Sequence, residues 1–277
     1  MQTLKNFLEK FTKLIVHAGG IHRDDLYVMA VFAALTGRPI ERKRPSDEQV
    51  SNPGILVADV GGGYCPGQGN FDHHNVVPKE LEGLCAFGLI MAYLGISGTW
   101  SWYKMLNEVD CYGPGKPFGK DGFRDVTGLL RSPWESVLMG TLGDKETITN
   151  NWRGYGDLRL LGEQIILEHN ALNDVISDFE VKEVSGVNVA YYQKSNANFD
   201  ADLLSIGLAL GADLVVIPSD RDGESNTLLR IADSVAIDCS RLSGVNGCVF
   251  AHSGGFIAKL GNGIHDLDFY VKAVIID

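Results

Sequence analysis

The 277-residue sequence contains no long hydrophobic segment, since no apolar run approaches the roughly 18 residues that a membrane-spanning helix needs. Charges recur at Glu9, Lys10 and Lys13, so the amino-terminal stretch also lacks an apolar core of signal-peptide length. Apolar residues nevertheless make up 45% of the chain, which is enough to bury a sizeable core. These features predict a folded cytoplasmic protein without a membrane partner.

Cysteine is sparse, with five scattered residues and no Cys-x-x-Cys pair, so neither a disulfide framework nor a thiolate zinc site is indicated. Signatures of several other enzyme classes are also absent. The sequence has no Gly-x-Ser-x-Gly elbow and no P-loop, and the stretch Gly61–Pro66 fails the dinucleotide-binding pattern at its last glycine.

Basic residues are outnumbered, with 24 Lys and Arg against 35 Asp and Glu, which gives a net charge of −11. This deficit argues against a protein that coats long nucleic acids, but leaves short phosphate substrates open. One basic cluster, Arg38, Arg42, Lys43 and Arg44, favours a longer phosphate chain unless it is simply a solvated loop. Arg44 is therefore a candidate substrate-binding residue.

Runs of apolar residues indicate where the core strands lie. Leu14–Val16 and Ile55–Ala58 lack the alternation of a half-exposed strand and predict strands buried on both faces of a parallel sheet. Between them, 24–35 carries apolar residues at helical spacing, with Asp24 as N-cap and Gly37 as stop. The order strand, helix, strand predicts a βαβ unit and an α/β fold.

The remaining pattern predicts a second, smaller α/β domain. Further helices are expected at 84–94, 99–108 and 157–176, after which the pattern changes. The elements expected after this change are strands at 187–192, 214–217, 228–232 and 247–251 and helices at 201–210 and 267–274. We place the boundary within Asp178–Val184, giving domains of 1–180 and 181–277.

Residues of metal-ligand type occur at four places near predicted strand ends or helix termini. They are His17, His22 and Asp24 around the first helix start, Asp59 after the second buried strand, the run Asp72, His73 and His74, and Asp110 at the end of a helix. Each alone also fits a cap, a turn or a surface position. Because ligands of open α/β sheets bind beyond the carboxyl ends of the strands, we expect the four to converge. A mixed imidazole and carboxylate set suits a pair of first-row divalent cations, which activate water for phosphoryl transfer.

The motifs resemble those of the DHH phosphoesterase superfamily, and more closely the melanocyte-proliferating-gene-one family of nucleases. The matching stretches are His17–Asp25, Ala58–Pro66, Asn70–Asn75 and Gly247–Ala258. Departures from the family pattern fall at Ala18, Asp25, Asn75 and Gly113, and the segment of about 113–184 shows no match.

The resemblance implies a parallel-sheet DHH-type N-terminal domain, a smaller α/β substrate-binding domain and two divalent cations. Manganese is the expected metal, with magnesium or zinc as alternatives. The implied ligands are His17, His22 and Asp59 for one cation and Asp24, Asp59, His73 and Asp110 for the other, with Asp59 as the bridge. In the same scheme His74 binds the scissile phosphate and Asp72 orients its neighbours. His252, Ser253, Gly254 and Gly255 would bind substrate from the second domain.

The activity that the resemblance implies is metal-dependent hydrolysis of phosphodiester bonds, with 3′-5′ exonuclease action on RNA or short oligonucleotides as the leading expectation. Two alternatives stay open. One is hydrolysis of a small phosphate compound such as a nucleotide or pyrophosphate, which the net charge favours. The other is a metal-stabilised binding protein without turnover, whose hallmark would be a missing ligand, and none is missing. The sequence does not indicate the oligomeric state.

Overall fold

The computed structural model describes residues 2–75, 77–96, 133–143, 145–194, 203–218, 225–231, 236–261 and 266–276. The predicted helix at 99–108 and the candidate ligand Asp110 lie outside these ranges. Contacts divide the described chain into two compact units, one of 2–96 and 133–168 and the other of 169–276. The division falls inside a long helix, whereas the boundary predicted from sequence follows that helix.

The first unit contains a six-stranded, largely parallel sheet covered by helices, as the sequence predicted. Its helices are α1 Gln2–Leu8, α2 Arg23–Thr36, α3 Asp47–Val50, α4 Ala86–Tyr93, α5 Pro133–Leu142 and the first part of α6 Tyr155–Ile176. Its strands are β1 Lys13–Val16, β2 Ile40–Arg42, β3 Ile55–Ala58, β4 Tyr64–Cys65, β5 Asn70–Phe71 and β6 Thr147–Ile148. The strand order across the sheet is β4-β5-β3-β1-β2-β6.

The two apolar runs form the centre of this sheet. Strand β1 pairs in parallel with β3, with Leu14 opposite Leu56, and on its other side with β2. Strand β3 in turn pairs in parallel with β5. The side chains of β3 are all buried because helices cover the sheet, which explains their lack of alternation. Four neighbouring strands therefore run in the same direction, and their carboxyl ends share one edge.

Helix packing against the sheet is close. Ten consecutive residues of α2, 24–33, are buried, so this helix has almost no exposed face in its first three turns. Gly162 of α6 lies directly against the backbone of Ala30 of α2, where any added Cβ would overlap the Ala30 carbonyl. The predicted βαβ unit is confirmed, with the short strand β2 inserted between α2 and β3.

The second unit is a mixed sheet with its own apolar core. Its strands are β7 Phe179–Val184, β8 Val187–Tyr192, β9 Leu214–Pro218, β10 Asn226–Arg230, β11 Cys248–Ala251 and β12 Ile257–Leu260, in the order β11-β12-β10-β9-β8-β7. Its helices are α7 Leu203–Leu210, α8 Leu267–Val274 and the end of α6. Most of these elements match the predicted ones to within two residues. A two-sheet α/β architecture is therefore confirmed.

The segment within which the sequence analysis places the domain boundary contains strand β7. It pairs antiparallel with β8 through a two-residue turn, Ser185-Gly186, in which both residues have positive φ (51° and 78°). Such turns match the twist of a hairpin. Strand β7 lies at the sheet edge and exposes the side chains of 180–183, and its polar composition suits an unpaired edge. Among the described helices, none combines the length and apolar character needed to cross a membrane.

Candidate metal centre

Three candidate site residues lie at one edge of the first sheet, each directly after a parallel strand. His17 follows the last residue of β1, Asp59 follows β3, and Asp72 follows β5. Since β1, β3 and β5 are neighbours that run in the same direction, these three residues emerge side by side. The structure thus brings together groups that lie up to 55 positions apart in the chain, counted as 72 − 17.

The backbone after β3 adopts an unusual conformation. Asp59 has φ of +59°, in the left-handed region that non-glycine residues rarely occupy, and Gly61 and Gly62 follow at +116° and +83°. At Gly61 a Cβ would also meet the side chain of Asn70, so only glycine fits. This loop bends the chain sharply as it leaves the strand and holds the buried Asp59 carboxylate at the strand end.

One cluster of possible ligands surrounds the Oδ2 atom of Asp59. His17 Nε2 lies 3.0 Å from Asp25 Oδ2 and 3.6 Å from Asp59 Oδ2. His22 Nδ1 lies 3.4 Å from His17 Nε2. His17, His22, Asp25 and Asp59 each bring one ligand atom into a group in which all lie within 4.8 Å of one another. Two imidazoles and two carboxylates suit a first-row divalent cation.

A second cluster lies on the other oxygen of the same carboxylate. Asp59 Oδ1 is 2.9 Å from His73 Nε2 and 3.6 Å from His74 Nδ1. Asp59, His73 and His74 likewise bring ligand atoms within 4.8 Å of one another. Asp59 is therefore shared by both groups, with Oδ2 nearer His17 and Oδ1 nearer His73. This is the arrangement expected of a carboxylate that bridges two cations.

Asp72 has a different role, because its carboxylate is fully engaged by hydrogen bonds. Oδ2 accepts from the Gly62 N–H at 2.7 Å, and Oδ1 accepts from the His74 N–H at 3.0 Å and lies 2.8 Å from His74 Nδ1. Burial by itself would raise the pKa of the Asp72 carboxyl, but these donors outweigh it and hold the pKa below its usual value. Asp72 thus fixes both the glycine loop and the ring of His74.

Asp24 and Asp25 are neighbours in the first turn of α2, and their carboxylates contact different groups. Asp24 Oδ2 accepts from the Ala86 N–H and Oδ1 from the Phe87 N–H, both at 2.8 Å, so Asp24 caps the start of α4. Asp25 Oδ2 instead lies beside His17 and accepts weakly from the His22 N–H at 3.3 Å. The structure does not bring Asp24 into either cluster, and it adds Asp25, which the sequence reasoning left out.

The first cluster contains buried polar atoms that lack hydrogen-bond partners within the described ranges. They are His17 Nδ1, Asp25 Oδ1 and Asp59 Oδ2. Burial raises the pKa of Asp25 well above its ordinary value, and the nearby charges of Asp59 and Asp24 raise it further. Buried groups of this kind normally have partners, and a carboxylate pair without one is costly. A bound cation would be a partner for the carboxylate oxygens of Asp25 and Asp59 and would offset the repulsion between them. The residues present therefore fit a metal.

A cleft of about 600 Å³ opens beside this cluster within the first unit. Its lining includes Asp59, Asp72 and His74 together with Arg44, so the predicted substrate-binding arginine borders the same cavity as the candidate metal ligands. The remaining lining residues are Ala18, Pro45, Asp47, Val50, Val60, Gly61, Gly62 and Asn75. The sequence reasoning overlooked Asp47, Val50 and Val60, which carry no motif and become neighbours only through the fold.

The other predicted substrate-binding residues form a turn in the second unit. His252, Ser253, Gly254 and Gly255 connect β11 to β12, and the Gly254 N–H donates to His252 Nδ1 at 2.9 Å. The ring of His252 lies 4.2 Å from that of Phe256, centroid to centroid. Gly255 has φ of +70°, and a Cβ there would overlap the carboxylate of Asp238. The turn is thus a fixed feature that presents Ser253 and Gly254 to solvent.

Comparisons with known proteins give little further information. No known protein-family profile matches the sequence, and no curated protein sequence matches it. Among solved structures, the chain is similar to the pGpG-specific phosphodiesterase PggH of Vibrio cholerae, with 15% identity over 95% of this chain and 97% of that one and a TM-score of 0.33. A TM-score at this level carries no argument about activity, which must be inferred from the geometry of the site.

Proposed function

We propose that this protein is a divalent-metal-dependent phosphodiesterase of the DHH type that removes nucleotides from the 3′ end of RNA or short oligonucleotides. The observation that supports the proposal best is Asp59, a buried carboxylate whose two oxygens face two separate histidine-containing groups. Sharing of one carboxylate by two cations is the arrangement used in two-metal phosphoryl transfer.

The contacts around Asp59 support a proposed ligand assignment. His17, His22, Asp25 and Asp59 would hold one cation, and Asp59 and His73 would contribute to the other. We propose that Asp110, outside the described residues, completes the second set. Manganese is the metal that the family resemblance implies. Zinc and magnesium are the alternatives, since imidazole also suits zinc and carboxylate suits magnesium. Bound cations of this kind supply a water of lowered pKa and positive charge beside the phosphoryl oxygens.

His73 and His74 have different roles in this proposal. The His73 side chain is 10% exposed and lies against Asp59, as a ligand would, whereas the His74 side chain is 53% exposed. His74 Nδ1 already contacts Asp72, which leaves Nε2 for substrate. In its protonated form His74 donates from Nε2 to a phosphoryl oxygen while Asp72 accepts from Nδ1, so the ring is oriented before substrate binds.

The glycine loop has a steric role. Gly61 and Gly62 line the cleft next to Asp59 and carry no side chains, so a phosphate can approach the carboxylates closely. The Gly62 N–H is already used by Asp72, which keeps the loop in place. The turn at His252 in the second unit is proposed to bind the substrate as well, through the imidazole of His252 and the hydroxyl of Ser253.

A turnover screen tests the proposal. Purified protein would be incubated with single-stranded RNA and DNA oligonucleotides, dinucleotides and pyrophosphate, each with manganese, magnesium, zinc or a chelator. Oligonucleotides labelled at the 5′ or the 3′ end give the polarity. We expect manganese-dependent release of mononucleotides from the 3′ end. Hydrolysis of pyrophosphate alone would favour the small-molecule alternative, and absence of turnover in metal-loaded protein would contradict an enzymatic role.

A further inference from the structure

The cleft beside Asp59 has a wall that the reaction itself does not require. Asp59, Asp72 and His74 follow strands β3 and β5. The wall in question consists of Arg44, Pro45, Asp47 and Val50, which belong to the segment after β2 and to α3. Pro45 and Val50 make this wall partly apolar, and Ala18 and Val60 add apolar surface elsewhere in the lining. Hydrolysis of a phosphate ester needs only Asp59, Asp72, His74 and their neighbours. The wall therefore indicates what the substrate carries besides the phosphate.

The size of the cleft argues for a ligand larger than inorganic phosphate. Pockets for organic ligands measure about 300–1,000 Å³ and combine apolar walls with a few well-placed polar groups. The cleft holds about 600 Å³, and the side chains of its apolar residues carry no donor for a phosphate. Pyrophosphate would leave this wall in contact with water, whereas a nucleoside would cover it.

Arg44 differs from the other members of its basic cluster. Arg38 donates to the carbonyls of Glu9 and Phe11, and Arg42 donates to those of Gly19, Gly143 and Lys145. Lys43 pairs with Glu41 at 2.7 Å. These three cations therefore have structural roles.

Arg44 is exposed, and in the part of the chain that the structure describes its side chain makes no hydrogen bond or ion pair. It is also the one Lys or Arg among the described residues that line the cleft. A guanidinium in this position can bind a phosphate through two parallel hydrogen bonds. The placement follows from the topology, because β2 ends at the same sheet edge as β1 and β3.

Asp47 contributes a carboxylate to the same lining. It disfavours a continuous polyphosphate chain along this wall through charge repulsion, and it offers an acceptor to hydroxyl or amino donors. The wall thus combines one cation for a phosphate, an acceptor for a polar donor and an apolar surface. A nucleoside that carries a phosphate has all three complementary parts.

We propose that the cleft wall formed by Arg44, Pro45, Asp47 and Val50 is a subsite for a nucleoside with a second phosphate, separate from the phosphate that is cleaved. Arg44 binds that second phosphate, and the apolar residues contact the nucleoside. The inference rests on the proposed function, since it assumes that the scissile phosphate lies at Asp59. It makes Arg44 a specificity-determining residue for substrates with a terminal phosphate.

Two substrates and two variants test the subsite. The substrates are one dinucleotide with a 5′-phosphate and the same dinucleotide with a 5′-hydroxyl, and the variants are Arg44→Met and its neighbour control Lys43→Met. Loss of one bidentate, charge-assisted contact is expected to raise KM for the phosphorylated dinucleotide about tenfold to a hundredfold in Arg44→Met. The hydroxyl form and the Lys43→Met variant should be nearly unaffected. An equal effect of Arg44→Met on both substrates, or none, would overturn the subsite.

A binding measurement separates this inference from the proposed function. Calorimetry of the purified full chain with a nucleoside 5′-monophosphate and with inorganic phosphate needs no turnover. We expect the nucleotide to bind at least about tenfold more tightly than phosphate, with most of the difference lost in Arg44→Met. Such binding without hydrolysis of any substrate would support the subsite and reject the enzyme. Equal affinity for the two ligands would reject the subsite even if turnover is observed.

Discussion

The two units differ in what they bury. Among its described residues, the first unit buries four carboxylates, those of Asp24, Asp25, Asp59 and Asp72. In the described part of the second unit the buried polar residues are His169, Ser225 and Thr227, none of them acidic. The main core of that unit is largely aliphatic, with residues of β8, β9, β10, β12 and α8. One unit therefore has an ordinary apolar core, while the other concentrates negative charge at a single sheet edge.

The four buried carboxylates are not equivalent. Those of Asp24 and Asp72 each accept backbone N–H groups, and such bonds offset much of the cost of burying charge. Those of Asp25 and Asp59 each keep an oxygen without a hydrogen-bond partner in the described structure. The comparison distinguishes the two carboxylates that are bonded to backbone N–H groups of the fold from the two that keep an oxygen available to the proposed cations. It also explains why the first unit is expected to respond to metal and the second is not.

The largest effect is expected from the neighbours Asp24 and Asp25. Asp25→Asn should lower manganese affinity and activity on the order of a hundredfold or more, since it removes a ligand oxygen. Asp24→Asn should keep its metal and lose about 1–2 kcal/mol in the free energy of unfolding, because a charged cap at α4 is weakened. Metal analysis and denaturant unfolding of the two variants would show this. Metal loss in Asp24→Asn with retention in Asp25→Asn would instead support the assignment made from sequence.

The next largest effect is expected at His73 and His74. His73→Asn should lower occupancy of the second cation and activity with it. His74→Asn should keep both cations and reduce kcat on the order of tenfold to a thousandfold, because one donor to the developing charge is lost. Elemental analysis beside steady-state rates separates the two outcomes. Equal metal loss in both variants would show that His74 is a ligand as well.

A smaller effect is expected on the stability of metal-free protein as pH changes. Because the pKa of Asp25 is raised in the folded state, the unfolded chain releases its proton first, at its ordinary pKa of about 3.9. Stability of the metal-free protein should therefore fall as pH rises above that value. Asp72 has a lowered pKa, so its contribution to the free energy of unfolding is already complete once the pH is well above about 3.9. It therefore does not oppose the decline.

Thermal melts in chelator between about pH 4.5 and 7 would measure this effect. We expect Tm to fall by several degrees across the range in the wild type and to change much less in Asp25→Asn. Manganese should reverse the decline in the wild type alone. A metal-free Tm that rises over this range, or one with the same slope in Asp25→Asn, would contradict the account.

The smallest effect is expected from the turn in the second unit. His252→Ala should raise KM about tenfold without loss of metal, since the residue is proposed to contact substrate alone. His252→Gln, which keeps a polar donor, should recover part of the affinity. Unchanged kinetics of His252→Ala on the physiological type of substrate would remove this turn from the site.

The sequence allowed prediction of those parts of the fold that depend on local pattern. Ile55–Ala58 is wholly apolar and is a central strand, and Leu267–Val274 has helical spacing and is a helix. Strand β2 was overlooked because three residues, one of them Glu41, carry no periodic signal. Strand β7 is not among the strands expected from the sequence, because three of its six residues are charged. Phe179 and Val181 nevertheless alternate with charged neighbours, as in an edge strand.

The candidate site was predictable as a set of residues but not as a geometry. The positions of His17, Asp59 and His73 after strands or in the following loop indicated convergence, and the structure brings them together. The choice between Asp24 and Asp25 depends on where α4 begins, about 60 residues later, which no local pattern contains. The partners of Arg42 and the exposure of Arg44 likewise arise only from tertiary packing.

The central claim, that Asp59 bridges two cations, is tested most directly by counting bound manganese. Wild-type protein and Asp59→Ala would be stripped with chelator, dialysed against manganese and analysed for metal per chain, with circular dichroism to confirm that both are folded. The account predicts two manganese ions per chain in the wild type and almost none in Asp59→Ala, because both groups of ligands share this carboxylate. A folded Asp59→Ala variant that still binds two ions per chain would contradict it.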